Sequence, residues 1–88
     1  MSKKKLTAEK TFSLASEHHK KNNFKIAEKL YNEILKTIPN HFETIFLLGT
    51  LYAQTKNFDK AKQTLNKVIK INPNFADAYN NLGNVLKE

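Results

Sequence analysis

This 88-residue sequence predicts an all-α protein: antiparallel helix pairs stacked as a short right-handed solenoid of five helices. Three observations predict it. Apolar residues recur at helical spacing, as in Ile45, Leu48, Gly49 and Tyr52 at i, i+3, i+4 and i+7. A shift of 34 residues superimposes Phe24 on Phe58, Ala27 on Ala61, Pro39 on Pro73 and Asn40 on Asn74, and carries Leu14 to Leu48 to Leu82 and Gly49 to Gly83. The chain's two prolines, Pro39 and Pro73, fall at the ends of alternate apolar stripes. A period of this length marks units built from a pair of helices.

Taken in order, residues 1–7 read as a basic, disordered tail with Thr7 as the N-cap of a first helix over 8–21. Its inward stripe is Phe12, Leu14, Ala15 and His18. Asn22 and Asn23 form a turn, since asparagine tolerates left-handed backbone and caps helices with its side chain. The second helix is expected over 24–37, with Phe24, Ala27, Leu30, Tyr31, Ile34 and Leu35 apolar. Pro39-Asn40 stops it. Third and fourth helices follow over 42–55 and 58–71, separated by the polar break at Lys56 and Asn57. The fourth carries Phe58, Ala61, Leu65, Val68 and Ile69, and Pro73 ends it. A fifth helix begins near Ala76. The units are therefore 8–41, 42–75 and the first helix of a third over 76–88. Ala27 and Ala61 are expected where paired helices cross, with Gly49 and Gly83 on the facing surface, because small residues let helix axes approach.

The residues at these positions resemble the tetratricopeptide repeat, whose pattern is Trp-x-x-Leu-Gly-x-x-Tyr, then Ala-x-x-x-Phe, then Pro. The central copy reads Ile45-x-x-Leu48-Gly49-x-x-Tyr52, then Ala61-x-x-x-Leu65, then Pro73. The third reads Tyr79-x-x-Leu82-Gly83-x-x-Leu86, and the first Thr11-x-x-Leu14-Ala15-x-x-His18, Ala27-x-x-x-Tyr31, Pro39. The resemblance covers about two and a half repeats. It implies a non-catalytic scaffold that binds a protein or peptide on a concave face lined by the first helix of each pair.

Composition narrows the classes. The net charge of +7 comes from lysine alone, and without arginine the bidentate contacts that read guanine and phosphate are missing, so a nucleic-acid partner is disfavoured. The chain has no cysteine, hence no disulfide and no thiol chemistry. No apolar run reaches membrane-span length and the N-terminus lacks a signal peptide's apolar core, so a cytoplasmic protein without a membrane partner is expected. Catalysis is not expected either. His18 and His19 are adjacent and point about 100° apart on a helix, which cannot chelate one metal. His18 reads as a structural histidine and His41 as an exposed loop residue. No glycine-rich phosphate loop exists, and no cofactor or metal is implied.

Interaction remains, and the face opposite the packing stripe is its expected place: Glu43, Phe46, Leu47, Thr50 and Gln54 in the third helix, with Glu9, Phe12, Ser13 and Ser16 in the first and Asp77, Asn80, Asn81 and Asn84 in the fifth. Amides can bond the backbone of an extended peptide whatever its sequence, and the phenylalanines could take an apolar side chain. Equally, Phe46 and Leu47 could only pack against a neighbouring helix or subunit. Family members that clamp a C-terminal carboxylate do so with lysine, asparagine and arginine at places that here carry Phe12, Ser16, Leu47, Asp77 and Asn81, which argues against a clamp. Members resembling the superhelix of O-linked N-acetylglucosamine transferase carry an asparagine ladder; Asn81 fits it, whereas Leu47 and Ser13 do not continue it. Two further readings stand beside the scaffold: the N-terminal piece of a larger protein, with a transferase as one candidate, and a self-associating unit. For the latter, Tyr79, Leu82, Gly83 and Leu86 are expected to press inward, leaving Ala78 and Val85, flanked by Leu82 and Leu86, as a bare row on which a homodimer could form.

Overall fold

The computed structural model describes residues 3–87. Five helices, α1 (Lys3–Lys20), α2 (Phe24–Thr37), α3 (Phe42–Gln54), α4 (Phe58–Ile71) and α5 (Ala76–Lys87), make up the chain, and no strand occurs among the described residues. The connections are three or four residues long, short enough to force each helix antiparallel to the one before. Consequently α1, α3 and α5 run side by side in one layer. Cross-links at matching heights confirm it: His19 to Gln54 joins the ends of α1 and α3, and Asn81 to Thr50 joins the middles of α5 and α3. The result is a flattened body of 41 × 28 × 17 Å, and no helix among the described residues is long and apolar enough to cross a membrane.

The turns inside the first two helix pairs are built alike. Asn22 (φ 63°) and Lys56 (φ 62°), 34 residues apart, both take the left-handed conformation. In each turn the next N–H reaches back to a carbonyl five residues earlier, Asn23 N to His18 O and Asn57 N to Tyr52 O, both at 2.8 Å. The left-handed residue's own N–H bonds the carbonyl three back, Asn22 to His19 and Lys56 to Ala53. This closes the orphan carbonyls of α1 and α3 in a Schellman motif. Asn23 and Asn57 begin α2 and α4 without a side-chain capping bond, so backbone closure, and not the expected side-chain cap, makes the turn.

Ala27, Tyr31, Ala61, Leu65 and Val68 are fully buried along the inner stripes of α2 and α4, and Leu48, Leu51 and Tyr52 join them from α3. The crossing of α3 and α4 depends on the missing side chain of Gly49. A Cβ placed there would stand 2.9 Å from Leu65 Cδ2 and 3.1 Å from its Cγ. Leu65 therefore seats in the notch left by that glycine.

Four expectations are corrected. The first helix starts at Lys3, not Ala8; three lysines and a leucine are good helix formers and nothing breaks them, so Thr7 lies inside α1, where its carbonyl accepts from the Thr11 hydroxyl (2.9 Å). Met1 and Ser2, the rest of the expected tail, lie outside the described residues. His41 is not a free loop residue: it is the N-cap of α3, its Nδ1 facing the Thr44 hydroxyl at 2.7 Å and backbone N–H at 3.4 Å, and its ring packs on Phe12. Gly83 has nothing within 4 Å of a Cβ position, so it makes no close helix crossing. Most consequentially, α5 buries a different face from the one expected. Ala78 (0% exposed) and Val85 (5%) face the core, while Tyr79 (48%) and Leu86 (62%) face solvent. Tyr79, Gly83 and Leu86 occupy the positions by which α3 receives α4, and α5 has no such partner among the described residues.

Candidate functional site

The layer of α1, α3 and α5 carries a groove of about 300 Å³ between the C-terminal halves of α1 and α3. Ser16, His19, Lys20 and Asn22 form one wall; Leu47, Thr50 and Gln54 form the other. Spacing explains the second wall, since 47, 50 and 54 lie one turn apart on one face of α3, opposite the stripe that packs on α4.

Hydrogen bonds hold the walls in place. His19 Nδ1 meets the Tyr31 hydroxyl at 2.9 Å and its Nε2 meets Gln54 Oε1 at 2.6 Å, so one imidazole ties α1 to both α2 and α3. Its ring also lies edge-on to Phe24 and Tyr31. The Thr50 hydroxyl donates to Phe46 O (3.0 Å) and accepts from the Asn81 amide (3.0 Å), which ties α5 to the same face. Behind the groove, the Tyr52 hydroxyl donates to Glu28 Oε2 (2.9 Å), with Lys60 Nζ 5.5 Å from the ring centre.

Burial pushes the Tyr31 phenol up to about 12. Tyr52 is raised as well, first by burial and then by its bond to, and the charge of, Glu28; Asn32 acts in the opposite sense. For both, the neutral form is favoured in the fold. Stability on this account is fully present below the ordinary phenol value near 10 and is lost as pH rises through 10 towards 12. For Tyr31 the loss approaches about 1.4 kcal/mol per pH unit. Urea titrations at pH 9 to 12 should show this alkaline slope, and Tyr31→Phe should flatten it; an unchanged slope in that variant would assign the loss to other groups.

Of the residues expected to meet a partner, the structure brings Ser16, Leu47, Thr50 and Gln54 into the groove and sets Asn81 beside it. Glu9, Glu43, Asn80 and Asn84 are exposed on the same layer but outside the groove. Ser13 and Asp77 are likewise exposed. Phe12 and Phe46 are half-buried packing residues: Phe12 lies against Tyr31 and His41, and Phe46, with Phe42, meets the edge of Phe75 at 4.9 Å between ring centres. His19, Lys20 and Asn22 were not anticipated. The signal for His19 was the buried Tyr31 hydroxyl, which needs an acceptor from a neighbouring helix.

Comparison with known proteins agrees with this geometry. The family model described as TPR repeat matches residues 49–88. A solved structure of a mutant of the Thermobaculum terrenum O-GlcNAc transferase is similar at a TM-score of 0.90 and 27% identity, over 98% of this chain and 16% of that one. This chain thus spans only 16% of that chain's length. No curated protein sequence matches it. The 34-residue period, the paired Schellman turns and the glycine-seated helix crossing agree with these two similarities: over residues 49–88 the chain is similar to the TPR repeat, and its fold is that of a tetratricopeptide-repeat solenoid.

Proposed function

We propose that the protein is a non-catalytic scaffold that binds a protein or peptide segment along the layer of α1, α3 and α5, with the groove between α1 and α3 as its principal contact. The observation that carries this reading is the groove itself: a recess with apolar Leu47 in one wall, among polar groups held by bonds between α1, α2, α3 and α5. A preformed recess takes a ligand at a lower ordering cost than a flexible surface does. Peptides selected from a random library against the wild type test it. Their affinity should fall at least about tenfold for Leu47→Lys. It should stay within about twofold for Lys62→Glu, a change on the far side of α4. Both variants should keep the helical circular dichroism of the wild type, Leu47→Lys with a lower melting temperature because Leu47 also packs against the core. Binders insensitive to Leu47→Lys would place the contact elsewhere.

A second reading, a self-associating unit or one segment of a longer repeat array, has its own support in the bare face of α5. Tyr79 and Leu86 are exposed around an empty Gly83, and a second copy meeting this face about a two-fold axis would cover both. On this reading sedimentation at rising concentration shows a dimer, and Leu86→Lys abolishes it. Val85 lies in the core and takes no part in that face. A wild type that stays monomeric at high micromolar concentration contradicts the dimer.

A further inference from the structure

The polar groups of the groove are not balanced between donors and acceptors. The Tyr31 hydroxyl is wholly buried and has His19 Nδ1 as its partner at 2.9 Å. Left without an acceptor, a buried hydroxyl would carry its full desolvation penalty, so it donates to Nδ1. The proton of the neutral imidazole is then on Nε2, which donates to Gln54 Oε1 at 2.6 Å. That bond engages the oxygen of Gln54, a residue that lines the groove, and leaves its NH2 group as a donor. A buried tyrosine on α2 thereby sets, through one imidazole, the polarity of a side chain on α3.

The remaining rim repeats the bias. Lys20 brings an ammonium group, and neither described ion pair involves it: Glu17 pairs with Lys21, and Glu43 with His41. Thr50 adds to neither side, since its hydroxyl donates to Phe46 O and accepts from the Asn81 amide. No aspartate or glutamate lines the recess. The nearest acids stand just outside it and each faces a cation of its own: Glu17, between Ser16 and Lys20 on α1, pairs with Lys21, and Glu43, one turn before Leu47 on α3, lies beside His41. The chain as a whole carries +7.

We propose that this recess takes the side-chain carboxylate of an acidic residue in a partner peptide. The amide NH2 of Gln54 and the ammonium of Lys20 bind the carboxylate, and Leu47 receives the methylenes behind it. The assignment rests on the peptide-binding reading above and names the chemistry of its ligand. A carboxylate supplies acceptors only, the complement of a rim rich in donors, and charge-assisted bonds of this kind are the strong ones.

Amide chemical-shift titrations of the full chain with short, end-blocked peptides test it: one alternating glutamate and alanine, one with glutamine for glutamate, and the glutamine peptide with a free C-terminal carboxylate. The glutamate peptide should shift Ser16, Lys20, Leu47 and Gln54, and bind at least about tenfold tighter than the blocked glutamine peptide. Gln54→Glu keeps an oxygen for His19 but sets a negative charge where the NH2 stood, and should abolish that preference with the fold intact by circular dichroism. Lys20→Gln should reduce it several-fold, while Lys62→Gln, the same loss of charge on α4, should leave it unchanged. The inference is overturned if the glutamate and glutamine peptides bind alike, if Lys62→Gln matters as much as Lys20→Gln, or if the free C-terminus binds as tightly as the glutamate peptide. When library-selected neutral peptides still shift the groove, the scaffold reading survives that failure; when no peptide shifts it, both fall.

Discussion

Leu65→Ala is expected to lower the stability of this chain by about 2–5 kcal/mol. Leu65 is fully buried, and its branched end fills the notch that Gly49 leaves in α3. Removing it costs the transfer energy of the lost carbons and leaves a cavity at the point where α3 and α4 cross. A domain of this size has roughly 4–13 kcal/mol in all, so the variant stands near the edge of folding. Equilibrium urea denaturation followed by helical circular dichroism measures the change. A loss below about 1 kcal/mol would mean that the crossing relaxes freely and that Leu65 is not the wedge described here.

The second large effect separates the two glycines. Gly49→Val should cost about 1–3 kcal/mol, because a branched side chain must displace Leu65 from contact at 2.9 Å. Gly83→Ala should instead stabilise by up to about 1 kcal/mol, since α5 gains helix propensity and the new methyl meets nothing within 4 Å. Opposite signs at two positions of one repeat register would establish that the register is shared and its covering helix is not. Equal losses at both would show Gly83 to be packed.

That contrast also marks what the sequence could tell. Pro39, Pro73 and the 34-residue match of Ala27 with Ala61 report the chain's own local geometry, and they locate the ends of α2 and α4 and the buried crossings. The facing of α5 is a property of its neighbours. Tyr79, Leu82, Gly83 and Leu86 copy a stripe that in α3 is covered by α4. Among the described residues no further helix packs on it, so most of that stripe is exposed, and α5 is held through Ala78 and Val85. In the groove, Leu47, Thr50 and Gln54 were legible because they lie opposite a clear packing stripe. His19 was not, since its equivalent 34 residues on is Ala53, which carries no polar group; Lys20 stands at the position of Gln54 and was passed over although the repeat register points to it. Phe46 read as readily as a ligand contact as a packing residue until Phe75, from the turn before α5, was found against its ring.

The groove as the surface that meets a partner is the centre of this account, and residue-resolved amide shifts test it most directly. With a saturating library-selected peptide, the largest changes should fall on Ser16, His19, Leu47, Thr50 and Gln54, with Asn81 following through its bond to Thr50. Signals from the outward positions of α2 and α4, such as Lys29 and Lys62, should stay still. Changes concentrated on α2 and α4, or on Tyr79 and Leu86 alone, with the groove residues unmoved, would contradict it.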